Sequence, residues 1–196
     1  MRRLSFTLVA VGLAFGCGTE APMSPDVVTP DPAAFARSAN APDVTVTKPF
    51  KARFYTEEVD LVPDGCGEGI VINTQEGKGT ATHLGLMTTK MVFCFNLNPE
   101  DPDNFGRYSF LPGPENGYFM AANGDKLWLT VNDGLVIFDP AVCGEYIACF
   151  HDPFLLTGGT GRFEGATGEG WIDSRTRPDG RTEHHWTGTV TLRPGS

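Results

Sequence analysis

The chain reads as an all-β protein: a single antiparallel, closed barrel of about eight strands, behind a leader and a flexible tether. Three observations predict this. Glycine is abundant, at 24 of 196 residues, and the glycines fall at turn signals. Short runs rich in β formers recur between those signals. Long helical periodicity is missing, so no helices are left to cover an open sheet, and closure is the arrangement that removes exposed strand edges.

The elements follow in chain order. Arg2 and Arg3 form a basic start, and residues 4–15 form an apolar run too short for a permanent span. The run ends at Cys17. This segment resembles a bacterial lipoprotein signal peptide over residues 1–16, which implies a lipidated Cys17 and anchoring to the cell envelope. Gly18 stands where many inner-membrane lipoproteins carry aspartate, so the resemblance implies an outer-membrane destination.

Residues 17–48 read as a tether. Pro22, Pro25, Pro30, Pro32 and Pro42 recur among Ala, Ser, Thr and Asp. Such a composition cannot bury enough apolar surface to fold and stays extended and disordered. A short helix at 31–38, with Pro32 in its first turn, is the one local element the tether suggests. Residues 49–196 remain for the barrel, enough for one domain with a core.

Strands are expected at 50–59, 69–82, 86–97, 117–122, 126–131, 147–157, 165–175 and 183–192, with a short extra run at 135–138. Pro63-Asp64-Gly65, Asn123-Gly124-Asp125, Asn132-Asp133-Gly134 and Pro178-Asp179-Gly180 supply turns between them.

Five cysteines are present, and assigning Cys17 to lipid leaves Cys66, Cys94, Cys143 and Cys149. An even remainder in an exported chain suggests two disulfides, with three pairings open. Cys66–Cys94 with Cys143–Cys149 is the favoured pairing. The first would tie a strand entry to the far end of its hairpin partner, and the second would staple a short loop. No C-x-x-C occurs, which argues against structural zinc.

The densest motif is Gly158-Gly159-Thr160-Gly161-Arg162-Phe163-Glu164-Gly165-Ala166-Thr167-Gly168. It is not a phosphate cradle. A P-loop needs a lysine that reaches the phosphates, and none lies between Gly158 and Gly170. A dinucleotide fingerprint needs its third glycine one residue earlier than Gly165, and a helix after it. The residues Gly158, Gly159, Thr160, Gly161, Phe163, Ala166 and Gly168 instead resemble the glycine-rich strand connection of the allene oxide cyclase and dirigent barrels. A second element, containing His83 and Gly85, resembles one that recurs in secreted bacterial proteins. The resemblance implies the barrel fold. Allene oxide cyclases isomerise an epoxide in an apolar cavity and dirigent proteins guide phenoxy-radical coupling, but none of their catalytic residues matches a position here.

Period-two faces offer candidate cavity residues. Met91, Phe93, Phe95 and Leu97 share one face; His184, Trp186, Gly188, Val190 and Leu192 share another; Trp128 faces opposite to Leu127 and Leu129. Phe93, Phe95, Trp128 and Trp186 are the candidates. Filling by side chains is the default for eight strands, with an open ligand cavity as the alternative. His83 is expected to fix a turn. His184 and His185 point to opposite faces and cannot readily share a metal. The acidic loop 98–104 reads as a solvated surface. No catalytic, metal or cofactor site is assigned.

The net charge is -9, and removal of Arg2 and Arg3 leaves 13 of 15 basic side chains against 24 acidic ones. That opposes phosphate backbones, so nucleic acid is excluded as a partner. Two readings remain. One is a noncatalytic, lipid-anchored envelope protein whose barrel holds a small apolar ligand or a protein partner. The other is a cofactor-free isomerase or lyase working in the barrel cavity. The first is preferred because no acid–base pair stands out.

Overall fold

Residues 44–193, the part that the computed structural model of the chain describes, form eleven strands, one short α-helix and a 3-10 turn at Gly161–Phe163. The leader, Cys17, the tether up to residue 43 and the helix expected at 31–38 lie outside the described residues. The strands are β1 (Val46–Gly67), β2 (Ile70–Ala81), β3 (Gly85–Asn96), β4 (Arg107–Phe110), β5 (Gly117–Ala121), β6 (Lys126–Thr130), β7 (Gly134–Leu135), β8 (Ala148–Phe150), β9 (Pro153–Gly159), β10 (Thr167–Thr176) and β11 (Thr182–Leu192). The helix is α1 (Pro140–Cys143).

Eight of these strands close a barrel. The hydrogen-bonded circuit runs β1–β2–β3–β5–β6–β9–β10–β11 and back to β1, with every pair antiparallel. The other three strands build one rim. β4 pairs with the end of β3, β7 pairs with β4, and β8 pairs with the end of β10. An isolated bridge between Ile137 and Cys149 joins the two sides of this excursion.

Several boundaries differ from the sequence reading. β1 runs on to Gly67 and does not stop at residue 59, so Pro63-Asp64-Gly65 lies in an irregular stretch inside the strand, and the hairpin turn falls at residues 68–69. β1 begins at Val46, inside the stretch assigned to the tether, because residues 46–49 pair with residues 189–192 of β11. The strand expected at 147–157 is two strands, β8 and β9. Asp152 sits at the break, and Pro153 has no N–H to continue a ladder. β4 and α1 were not expected. The helix is a single turn with Asp139 capping Ala141 N–H at 2.8 Å and proline in its first position.

The core fills one end of the barrel. Phe50 pairs with Gly188, Gly188 with Gly170, and Gly170 with Phe154, so two phenylalanines flank two glycines across four strands. A methyl group on Gly170 would lie 2.7 Å from the Phe154 ring and 2.1 Å from the Thr187 carbonyl. The glycines thereby let Phe50 and Phe154 meet, at 5.9 Å between ring centres. Phe119 and Trp186 stack edge-on above them at 5.4 Å. Each phenyl buried this way contributes about 1.5–3 kcal/mol.

The β9–β10 connection closes the same end. Phe163 and Ala166 are fully buried there. Thr160 Oγ1 accepts from Lys126 N–H at 2.9 Å. Gly161 adopts φ 56°, and a Cβ would collide with the Asp125 carboxylate, so a side chain is excluded on both counts. Gly158 lies against the Trp128 ring, while Gly159 and Gly168 pack against neighbouring backbone.

Two disulfides hold the opposite rim. Cys66–Cys94 pins the tip of the β1–β2 hairpin to β3. Cys143–Cys149 staples α1 to β8.

Candidate functional site

The barrel is filled at the glycine-plugged end and hollow at the other. A cavity of about 320 Å³ opens at the rim built by β4, β7, α1 and β8. Its size is at the small end of ligand pockets, which run roughly 300–1,000 Å³. The floor is Trp186, Ile172 and His184. The walls are mostly aromatic. Phe93 stacks on Phe110 at 5.7 Å between ring centres, and Phe95 stacks on Phe138 at 6.3 Å. Tyr108 and Phe150 meet edge to face at 5.9 Å.

Strand alternation places these groups. Phe93 and Phe95 are two apart on β3, and His184 and Trp186 are two apart on β11, so each pair shares the inner face. The same rule puts Asn73 and Gln75 of β2 on the cavity side.

His184 is the most buried polar residue lining the cavity. It is 2 % exposed and stacks on Phe54 at 4.4 Å. Its Nε2 lies 2.9 Å from Thr56 Oγ1, and its Nδ1 lies 2.7 Å from Ser174 Oγ. The single Thr56 hydroxyl proton goes to Gln75 Oε1 at 2.7 Å. Thr56 must therefore accept from His184 Nε2–H. A neutral imidazole has one proton, so Nδ1 accepts from Ser174. Burial, with a smaller effect from His185, lowers the His184 pKa to about 3.

Asp152 lies behind Tyr108. Its Oδ2 accepts from the Tyr108 hydroxyl at 3.0 Å, and its Oδ1 accepts from Leu135 N–H at 3.1 Å. Burial raises its pKa from the ordinary carboxylate value, against the lowering effect of these two bonds. Burial also raises Tyr108, and the Asp152 charge adds to that. Tyr108 therefore stays protonated and donates.

At the mouth, Glu58 is exposed and its Oε2 accepts from Asn73 Nδ2 at 2.6 Å. A carboxylate can only accept, so the Asn73 amide has its nitrogen toward Glu58. Among the described residues Asn73 Oδ1 is left buried without a partner, and so is the indole N–H of Trp186. Unpaired buried polar atoms cost about 1–3 kcal/mol each and call for an explanation. Both belong to cavity-lining residues.

Phe93, Phe95 and Trp186 thus line the cavity. Trp128 does not. Leu127 and Leu129 take the inner face of β6, and alternation turns Trp128 to the outside, where it packs on Gly158. His83 sits at the plugged end in the β2–β3 turn, with φ 67° and Nε2 3.1 Å from the Pro49 carbonyl; Gly85 follows it with positive φ. His185 is exposed on the outer face, opposite Asp173. In the acidic loop, Asp101 accepts from Asn96 and Asn104 and is spent on the turn. Among the described residues no group of three or more His, Cys, Asp or Glu is placed to hold a metal ion.

Sequence reasoning missed Tyr108, Asp152, Glu58, Asn73 and Gln75. The alternation of Asn73 and Gln75 on one strand face was the available signal. Tyr108 and Asp152 had none, because they meet across 44 residues.

No family model matches the chain, and no curated protein sequence matches it. Among solved structures, the chain is similar to a pterocarpan synthase dirigent protein, with a TM-score of 0.49 and 12% identity over 78% of this chain and 88% of that one.

Proposed function

We propose that this is an exported, lipid-anchored cell-envelope protein whose barrel binds a small, largely apolar ligand in the rim cavity without transforming it. The observation that carries this reading is the rim cavity of about 320 Å³ with its mostly aromatic walls. A small ligand there would bury its apolar body against the rings. Among the described residues Asn73 Oδ1 and the Trp186 indole N–H have no partner, and with almost no accessible surface they meet a ligand only after neighbouring side chains shift.

Two features support binding over turnover. Both nitrogens of His184 are engaged, and its basicity is suppressed. Both oxygens of Asp152 are engaged as well. A general acid or base needs a free atom within reach of substrate. The two disulfides support an oxidising, exported setting.

Nile red, a neutral dye that brightens in apolar surroundings, tests the binding reading. The domain is expected to enhance its emission with a micromolar-range Kd. Ala148→Phe, which fills the cavity from β8, should abolish the enhancement while the melting curve remains cooperative. Undiminished dye binding in that variant would place the ligand elsewhere. For the anchor, Cys17→Ser is expected to abolish fatty-acid labelling.

A further inference from the structure

The polar groups of the cavity are not balanced in charge. Among the described residues, Glu58 is the one acidic or basic side chain that lines it other than neutral His184, and no lysine or arginine does. Of the two arginines of the β10–β11 hairpin turn, Arg177 holds Glu183 at 3.0 Å, and Arg181 lies over the Tyr55 ring at 5.3 Å with its Nε buried and unpaired among the described residues. Beside Glu58 stands Asn73 Oδ1, buried, without a partner among the described residues and able only to accept. One corner of the cavity is thus built from acceptors. The remaining walls are aromatic rings, whose faces attract cations and repel anions.

We propose that the rim cavity selects a hydrophobic organic ammonium ion. The ammonium donates to Glu58, and its aryl or alkyl body lies among Phe93, Phe95 and Phe138. A primary or secondary ammonium carries N–H donors that the Glu58 carboxylate can accept. Asn73 cannot turn its amide to serve an anion, because its nitrogen is held by Glu58 at 2.6 Å. An anionic ligand would meet a carboxylate and ring faces, each unfavourable.

This inference rests on the binding reading above, and three matched probes separate the two. Naphthylethylammonium, naphthylethanol and naphthylpropionate share one apolar body and differ in charge. Calorimetric titration is expected to show the ammonium binding about tenfold more tightly than the alcohol, with the carboxylate weakest. Glu58→Gln should bring the ammonium-to-alcohol affinity ratio close to one, and higher ionic strength should narrow it in the wild type. Glu58 is exposed, so the variant is expected to fold. Equal affinity for ammonium and alcohol, tighter binding of the carboxylate, or an unchanged ratio in Glu58→Gln overturns the charge selection and leaves the cavity as a neutral binder. Failure of all three probes overturns the binding reading itself.

Discussion

The Tyr108 hydroxyl donates to Asp152 Oδ2 at 3.0 Å, and this bond ties β4 to the break between β8 and β9. Leu135 N–H completes the joint from β7. One buried carboxylate thus holds three elements of the cavity rim.

Asp152→Ala leaves the Tyr108 hydroxyl and the Leu135 N–H unpaired, and is expected to cost about 3 kcal/mol in urea unfolding. Asp152→Asn should cost less at neutral pH, since its amide oxygen can still accept from Leu135. The pH dependence separates wild type from Asp152→Asn. The folded pKa of Asp152 is raised, so its contribution is fully present below about pH 4 and is lost as pH rises through the folded value. Wild type is therefore expected to gain on Asp152→Asn as the pH is lowered. A parallel pair of pH–stability curves would remove Asp152 from the account.

His184 titrates in the opposite sense. Its folded pKa of about 3 lies below the ordinary 6.5, so its contribution is present above pH 6.5 and is lost as pH falls toward 3. The loss is on the order of 4 kcal/mol across that window. Nitrogen chemical shifts should show a neutral ring with the proton on Nε2 down to about pH 4. A ring that protonates near pH 6 would contradict the hydrogen-bond assignment.

Gly170→Ala places a methyl against the Thr187 carbonyl and the Phe154 ring. The expected cost is about 2–3 kcal/mol, from displacement of the packed aromatic row. Thr189→Ala, on the outer face of β11, should stay within about 0.5 kcal/mol. Denaturant midpoints of the two variants decide whether the glycine row is a packing requirement.

The two disulfides should differ in worth. Cys66–Cys94 spans 28 residues and Cys143–Cys149 spans 6. Loop-closure entropy assigns about 3.5 kcal/mol to the first and about 2 kcal/mol to the second. Paired Cys→Ala variants, compared by urea unfolding, test the order. The short staple should matter more for ligand binding, because it fixes the rim at β8.

Much of the barrel was legible because its strands alternate. Phe93 with Phe95, and His184 with Trp186, could be placed on shared faces from spacing alone. The same rule turns Trp128 outward, opposite Leu127 and Leu129, so naming it as a cavity residue ran against the pattern. The β8–β9 break was partly legible, since Pro153 interrupts a ladder. β4 and β7 were not, because strands of four and two residues carry too little pattern to stand out.

By itself the sequence determined the strand periodicity, the turns at Asn123-Gly124-Asp125 and Pro178-Asp179-Gly180, and the even count of cysteines after Cys17. It also excluded a phosphate cradle at the lysine-free glycine run. Each depends on residues close in the chain. Only the tertiary structure decided that the barrel is plugged at one end and hollow at the other. That difference arises from residues far apart. Gly170 and Gly188 admit Phe50 and Phe154 at the plug, while Asp152 holds Tyr108 at the rim. The exposed Glu58 and the unpaired oxygen of Asn73 acquire meaning only where the closed sheet sets them beside the aromatic walls.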